Sequence, residues 1–158
     1  MPFVDVKLSD VELAKPSPIG IGTYTFQLVP GAEYRQNPHT DIEELSVSFS
    51  VATGDFAGRR VFVNYPDPTA VSKNGKSFKW SEQALKKLEV ALGEDSLPGE
   101  DPATFLNRVA TSAHARISGR MVPETRKNTE TGKYEPFVRE GEVEPRAVFS
   151  IFDVGPAA

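Results

Sequence analysis

Cationic and aromatic side chains are interleaved in residues 59–80, a combination typical of surfaces that bind single-stranded nucleic acid. Cations contact the phosphates while flat side chains stack on the bases, and each stack contributes about 1–3 kcal/mol. The side chains assigned to such binding are Arg59, Arg60, Phe62, Tyr65, Lys73, Lys76, Phe78 and Lys79. Trp80 follows directly, but its position at the start of a predicted helix favours a packing role over base stacking.

A second basic segment lies in residues 108–139, where seven Lys and Arg residues outnumber three acids. Arg116 and Arg120 are separated by an even number of positions, which places them on one face of a strand. The further candidates for nucleic-acid contacts in this segment are Arg126, Lys127, Tyr134 and Arg139. Because exposed arginines often serve solubility alone, this segment matters only if the fold brings it beside the first.

The distribution of charge matters more here than the formal net charge of −4, which by itself argues against a polyanionic partner. Residues 59–80 and residues 108–139 each carry a net charge of +4. Residues 1–58 carry −5 and residues 81–107 carry −4. We therefore expect a local positive groove if the two basic segments meet in the fold.

Most catalytic and cofactor chemistry is disfavoured by the residues present. The chain has no cysteine, which excludes disulfides, thiolate zinc sites and cysteine nucleophiles. His39 and His114 lie far apart, so a two-histidine metal site is not expected. Residues 75–77 read Gly-Lys-Ser, but Ala70 replaces the earlier glycine that a phosphate-binding loop requires. We expect neither an enzyme nor a bound metal or cofactor.

Three strands are predicted in the first half of the chain. Residues 45–52 alternate apolar side chains with serines, which is the period of a half-buried strand. Residues 23–29 follow the same pattern up to Pro30-Gly31, and residues 59–65 complete a hairpin after a glycine-containing turn. Phe62 shares a face with Arg60 and is exposed if the neighbouring valines are buried. The alternative, that an N-terminal arm covers this face, stays open.

Helices and two further strands follow. A helix is predicted from an N-cap at Ser81 to a stop at Gly93, and a shorter one from Asp101 with Pro102 at its first position. Strands are predicted over residues 115–122 and about 146–152, joined by a long hairpin connection in residues 123–142.

These elements predict a mainly β fold with one or two helices, in the order β-β-β-α-β-β. We expect a five-stranded OB-like barrel over residues 19–158, preceded by an arm of residues 1–18. In an OB barrel, strands 2 and 3 and the loops after strands 1 and 4 form the nucleic-acid surface. That topology would bring the two basic segments together.

The sequence resembles a family of small bacteriophage proteins regarded as similar to single-stranded-DNA-binding proteins. The resemblance covers about residues 18–93 and rests on Gly22-Thr23-Tyr24, on residues 54–62 (GDFAGRRVF) and on two helical segments, residues 84–88 and 91–93. It implies an OB-like fold and a role in phage DNA replication or recombination. It implies no catalytic residues.

Two functions are expected from these features. The first is sequence-tolerant binding of single-stranded DNA, or of RNA, in support of replication or recombination. The second is a phage structural or protein-interaction module, in which the arm and the 123–142 hairpin would dock partners such as further copies of the chain or replication proteins. The N-terminus lacks a signal-peptide pattern and no apolar run is long enough for a membrane span, so we expect a cytoplasmic location.

Overall fold

The fold follows a strand-rich order with two adjacent helices after the third strand. A computed structural model describes residues 18–112 and 115–157, so residues 1–17 of the predicted arm and His114 lie outside the described residues. The elements are β1 (Gly22–Gln36), β2 (Glu43–Val51), β3 (Arg60–Pro66), α1 (Trp80–Leu92), α2 (Pro102–Ala110), β4 (Arg116–Pro123), β5 (Thr125–Lys127), β6 (Tyr134–Pro136), β7 (Ala147–Phe149) and β8 (Gly155–Pro156). Within these ranges, neither helix is long and apolar enough to cross a membrane.

The main sheet is antiparallel, with the pairing order β3-β2-β1-β4-β7 and with β8 also paired to β4. The prediction of a mainly β fold with one or two helices is confirmed. The predicted 123–142 connection contains a separate two-stranded hairpin, β5 and β6. The last strand of the predicted five is shorter than expected, because only Ala147–Phe149 pairs with β4 in this region.

The sheet does not close into the expected barrel, since no pairing joins β3 to β7 among the described residues. The two edges face each other across a gap lined by Arg59 and Arg60 on one side and by Met121 and Ala147 on the other. Ile19 lies in the same gap. With only three residues, β7 offers few backbone groups for a closing ladder. The result is a partly open sheet in the strand order of a five-stranded Greek-key barrel.

One face of the sheet is apolar, and both helices pack against it. The alternating positions Phe26, Leu28, Val47 and Phe49 are fully or almost fully buried. They join one hydrophobic cluster with the apolar sides of α1 and α2, including Leu88. The period-two pattern of the sequence is thus explained, because every second side chain of a strand points to the helices.

β1 continues beyond Pro30-Gly31, where the sequence predicted its end. The register with β2 shifts between Val29 and Glu33, which marks a bulge. Asn107 of α2 binds this irregular backbone: its Oδ1 accepts from the amides of Gly31 and Ala32 at 2.9 Å each, and its Nδ2 donates to the Ala32 carbonyl. The prediction was wrong because a distant side chain satisfies the backbone groups that Pro30 and the bulge leave unpaired.

Two of the three helix ends predicted from the sequence agree with the structure. Asp101 caps α2, with Pro102 in its first turn, and Gly93 ends α1 with a φ of 70°. The predicted N-cap at Ser81 is wrong, because α1 begins at Trp80 and Ser81 is buried inside it. Its hydroxyl has no hydrogen-bond partner among the described residues.

Gly119 of β4 lies where two phenylalanine rings leave no room for a side chain. A Cβ at this position would lie 2.9 Å from ring atoms of both Phe26 and Phe149. We expect Gly119→Ala to lower the free energy of unfolding by about 1–3 kcal/mol, because the rings must shift in a packed core. Urea denaturation measures the change. Gly155→Ala is the control, since a Cβ there meets no atom within 4 Å; equal effects of the two substitutions would contradict the prediction.

Candidate nucleic-acid interface

The sheet face opposite the helices, here called the polar face, carries mostly hydroxyl, amide and guanidinium groups. Its strands alternate, so that residues between the buried positions point away from α1 and α2. The side chains of the polar face are Thr23, Thr25, Gln27, Ser46, Ser48, Ser50, Arg60, Phe62, Asn64, Arg116, Ser118 and Arg120. The polar face therefore combines candidates from both basic segments of the sequence.

The register aligns Arg60, Ser50, Gln27 and Arg116 in one row across four strands. Three strand spacings separate the two arginines, which corresponds to about 14 Å between their backbones. The Nε of Arg116 donates to Oε1 of Gln27 at 3.0 Å. Arg120 lies four residues further along β4, opposite Thr23. Each basic segment thus contributes individual arginines to the polar face.

Phe62 is the exposed aromatic side chain of the polar face. It lies opposite Ser48, and 72% of its surface is accessible. Val63 beside it is buried, so Phe62 points away from the helices, as the alternation indicates. The alternative cover by the N-terminal arm falls on residues 1–17, outside the described residues. The small side chain of Ser48 leaves the ring free on that side. A planar ligand group can stack on this ring without any rearrangement of the sheet.

The arginines of the polar face have no carboxylate partner. Among the described residues, none of Arg60, Arg116 and Arg120 forms an ion pair. Glu33 on the same face pairs with Arg35 and lies opposite Ser46 of β2. Ser46 is four residues from Ser50, the partner of Arg60, a distance of about 13 Å. The positive charge is therefore local.

Several predicted site residues of the first segment lie elsewhere. Tyr65 was wrongly assigned to nucleic-acid contacts, because it points to the helices and is 1% exposed. The exposed Lys73, Lys76 and Lys79, with the half-buried Phe78, lie in the connection after the Pro66 end of β3. That end is about 20 Å from Arg60. Arg59 is half-buried and lines the gap between the sheet edges.

The second segment divides between the polar face and the β5–β6 hairpin beyond the end of β4. Arg126 lies over the ring of Phe137, with 3.8 Å from its guanidinium carbon to the ring centroid. Tyr134 is 70% exposed and lies opposite the exposed Lys127. The hairpin thus presents an aromatic ring and two cations. It forms a separate two-stranded sheet, so these side chains do not belong to the polar face.

Arg139 differs from the other candidates because a carboxylate already neutralises it. Its Nε and Nη2 donate to the two carboxylate oxygens of Glu124 at 3.0 and 2.8 Å. This hydrogen-bonded pair lowers the pKa of Glu124 and raises the pKa of Arg139. Arg139 therefore lacks the free charge that the sequence-based prediction assigned to it, and its role is to fix the hairpin to the end of β4.

Sequence reasoning missed the polar partners that complete the polar face. Gln27, Thr25 and Ser118 are among them, and the alternation of β1 and β4 was the signal that could have identified them. Trp80 was predicted to pack, and its ring lies 5.7 Å from that of Phe152, with Lys87 near the same ring. Trp80 nevertheless stays 36% exposed. It therefore anchors the start of α1 at the surface.

No group of three or more His, Asp or Glu side chains within the described ranges is arranged to hold a metal ion. The polar face offers cations, hydroxyls and one exposed ring, which suit binding of an anionic ligand with planar groups. In comparisons with known proteins, no family model, no curated protein and no solved structure matches this chain.

Proposed function

We propose that this chain binds single-stranded DNA, or RNA, through the polar face and with little sequence preference. The observation that carries the proposal is Phe62, an exposed ring two residues from Arg60 on a sheet face that also carries Arg116 and Arg120. Stacking on an aromatic ring accepts any base, and arginines accept any phosphate. The hydroxyl and amide side chains between them add hydrogen-bond donors for phosphate and sugar oxygens.

Local charge makes this proposal compatible with a net charge of −4. A phosphate chain approaching the polar face meets three arginines without a carboxylate partner, while Glu82 and Glu89 belong to α1, which packs on the other side of the sheet. Such separation of charge steers an anion to one face. Arg126, Lys127 and Tyr134 of the β5–β6 hairpin would extend the contact beyond the end of β4.

In biological terms, the proposed activity would support DNA replication or recombination, in the host cytoplasm if the chain is phage-encoded. The competing function is a docking module for proteins. Fluorescence anisotropy with labelled oligo-dT and a matched duplex, at low and moderate salt, separates the two. We expect preferential binding of the single strand and an affinity that falls as salt rises, because bound phosphates release counterions. Absence of binding at low salt would favour the docking module.

Phe62 provides the most specific test of stacking. We expect Phe62→Ala to weaken oligo-dT binding by about 5- to 150-fold, the equivalent of one stack of about 1–3 kcal/mol. Phe62→Trp should retain the affinity, because it keeps a flat ring at the same place. The Tm of both variants should stay close to that of the wild type, since the side chain is exposed. Equal affinities of Phe62→Ala and wild type in anisotropy titrations would rule out stacking at this position.

A further inference from the structure

An elongated groove lies on the helix side of the molecule, away from the polar face. A cavity of about 340 Å³ separates α1 from α2, with Leu85, Leu88, Phe105 and Leu106 among its apolar lining residues. A second cavity of about 290 Å³ continues toward the ends of β2 and β3. The lining residues Pro68, Leu85 and Pro102 belong to both cavities, so the two form one continuous groove.

The rim of this groove is acidic. The carboxylates that line it are Glu82, Glu89 and Glu100 in the first cavity and Glu43, Glu44 and Asp67 in the second. Lys86 is the lysine in the lining, and it pairs with Glu89, while Arg108 pairs with Glu100. Within the described residues, Glu82 and Glu43 form no ion pair. The groove therefore presents a negative rim above an apolar floor and repels phosphates.

A buried hydroxyl without a partner lies in the wall of the second cavity. Tyr65 is 1% exposed, and its Oη has no hydrogen-bond partner among the described residues. Burial raises the pKa of this hydroxyl, so it stays a neutral donor. Tyr34 in the same lining differs, because its Oη donates to Asp101 at 2.6 Å and accepts from the Ala103 amide. A buried hydroxyl usually has a partner, so Tyr65 carries an unpaired donor just beneath the surface of the groove.

We propose that this groove binds an extended segment of a partner protein that carries apolar side chains flanked by Lys or Arg. The apolar side chains would enter the floor between α1 and α2, and the basic side chains would pair with Glu82 and Glu43 on the rim. A backbone carbonyl of the segment would accept a hydrogen bond from Tyr65 once binding turns the covered hydroxyl toward the groove. The elongated shape fits a chain segment better than a compact small molecule.

This site is separate from the arginines of the polar face, because they lie at the other end of β3 or on β4 and the charges of the two surfaces have opposite sign. Both ligands can therefore bind at the same time. A protein that holds a single strand on one side and a basic segment on the other would bring that partner to the nucleic acid. This consequence rests on the proposed function, but the groove itself does not.

Selection from a phage-displayed library of random 12-residue peptides on the immobilised full chain tests the proposal. We expect enriched peptides that combine Lys or Arg with large apolar residues. A fluorescein-labelled peptide of the enriched sequence is then titrated against Glu82→Lys and Leu85→Asp, and each variant should lose affinity by about tenfold or more. Glu130→Lys and Val143→Asp are matched controls, because both positions are exposed and outside the groove.

Tyr65→Phe tests the hydrogen bond separately. The variant should bind the peptide about 2- to 10-fold more weakly, the loss of one neutral hydrogen bond. Its Tm without peptide should rise by about 2–4 °C, because a buried unpaired hydroxyl is removed. A lower Tm with unchanged peptide affinity would show that the hydroxyl is satisfied within the fold and would remove it from the site.

Other outcomes would overturn the groove as a whole. Enrichment of acidic peptides, or absence of any enriched pattern, would contradict the charge argument. Peptides that bind Glu82→Lys and Leu85→Asp as tightly as the wild type would occupy another surface. Because oligo-dT titrations of the same two variants report on the polar face alone, failure of the groove is distinguishable from failure of the proposed function.

Discussion

Reversing the charge of Arg60 and Arg120 together is expected to weaken oligo-dT binding by at least about 100-fold at moderate salt. Each substitution removes a charge-assisted hydrogen bond to phosphate, which corresponds to about tenfold or more. The new carboxylates would in addition repel the phosphates across the polar face. The slope of log K against log salt should also fall, by about 0.7 for each phosphate of the single strand that is no longer neutralised. Anisotropy titrations of the Arg60→Glu/Arg120→Glu variant over a salt series measure both quantities.

The matched control is Lys73→Glu/Lys76→Glu, which changes the net charge by the same amount. These lysines lie in the connection beyond the Pro66 end of β3, far from the arginine row. If the polar face is the interface, this control should lose much less affinity than the arginine variant. Equal losses would indicate that total charge governs binding, and unchanged binding of the arginine variant would refute the proposed interface.

The sequence predicted the polar face to the extent that local periodicity determines which way side chains point. The serines of residues 45–52 and the valines around Phe62 alternate, and the structure has Phe62 exposed and Val63 buried as this pattern indicates. The helix boundaries at Gly93, Asp101 and Pro102 were also predictable, because each depends on local backbone geometry or on a cap to a residue a few positions away. Each of these features depends on neighbours a few residues away.

Features that depend on distant residues were not predictable from the sequence. The continuation of β1 past Pro30 requires Asn107, which is more than seventy positions away along the chain. The sequence-based prediction treated Arg139 as a free cation, but Glu124 neutralises it through a fold-dependent pair. The sequence predicted that the two basic segments as a whole would lie side by side. In the structure, the strand register places only single residues of each segment in one row, such as Arg60 and Arg116. Cross-strand register depends on which strands pair in the folded protein, so it cannot be derived from the composition of the segments.

Charge separation between the two sides of the sheet connects the two proposals. The arginines lie on the polar face, and the carboxylates of α1, of the α1–α2 and β3–α1 connections and of the start of β2 line the groove. An average over the whole chain hides this arrangement, which is why the net charge alone pointed away from nucleic acid. This separation of charge would direct an anionic ligand to the polar face and a cationic ligand to the groove.

Phe26→Ala is expected to have the largest effect on stability, a loss of about 3–5 kcal/mol in the free energy of unfolding. Phe26 is fully buried, and its ring lies 5.2 Å from that of Phe149 and 6.5 Å from that of Phe49. Truncation leaves a cavity at the centre of the sheet where β1, β2 and β4 meet. Urea denaturation followed by circular dichroism measures the loss, which is a large share of the stability of a typical domain.

Comparison of Phe26→Ala with Phe62→Ala separates stability from binding, because the two rings lie on opposite faces of the same sheet. At a temperature where it is folded, Phe26→Ala should bind oligo-dT with nearly wild-type affinity, since its ring faces the helices. Phe62→Ala should show the reverse pattern, with weakened binding and an unchanged Tm. If folded Phe26→Ala loses affinity as strongly as Phe62→Ala, the binding surface depends on the helix side and the polar face is not the interface. The reciprocal pattern would assign binding to the exposed ring and folding to the buried one.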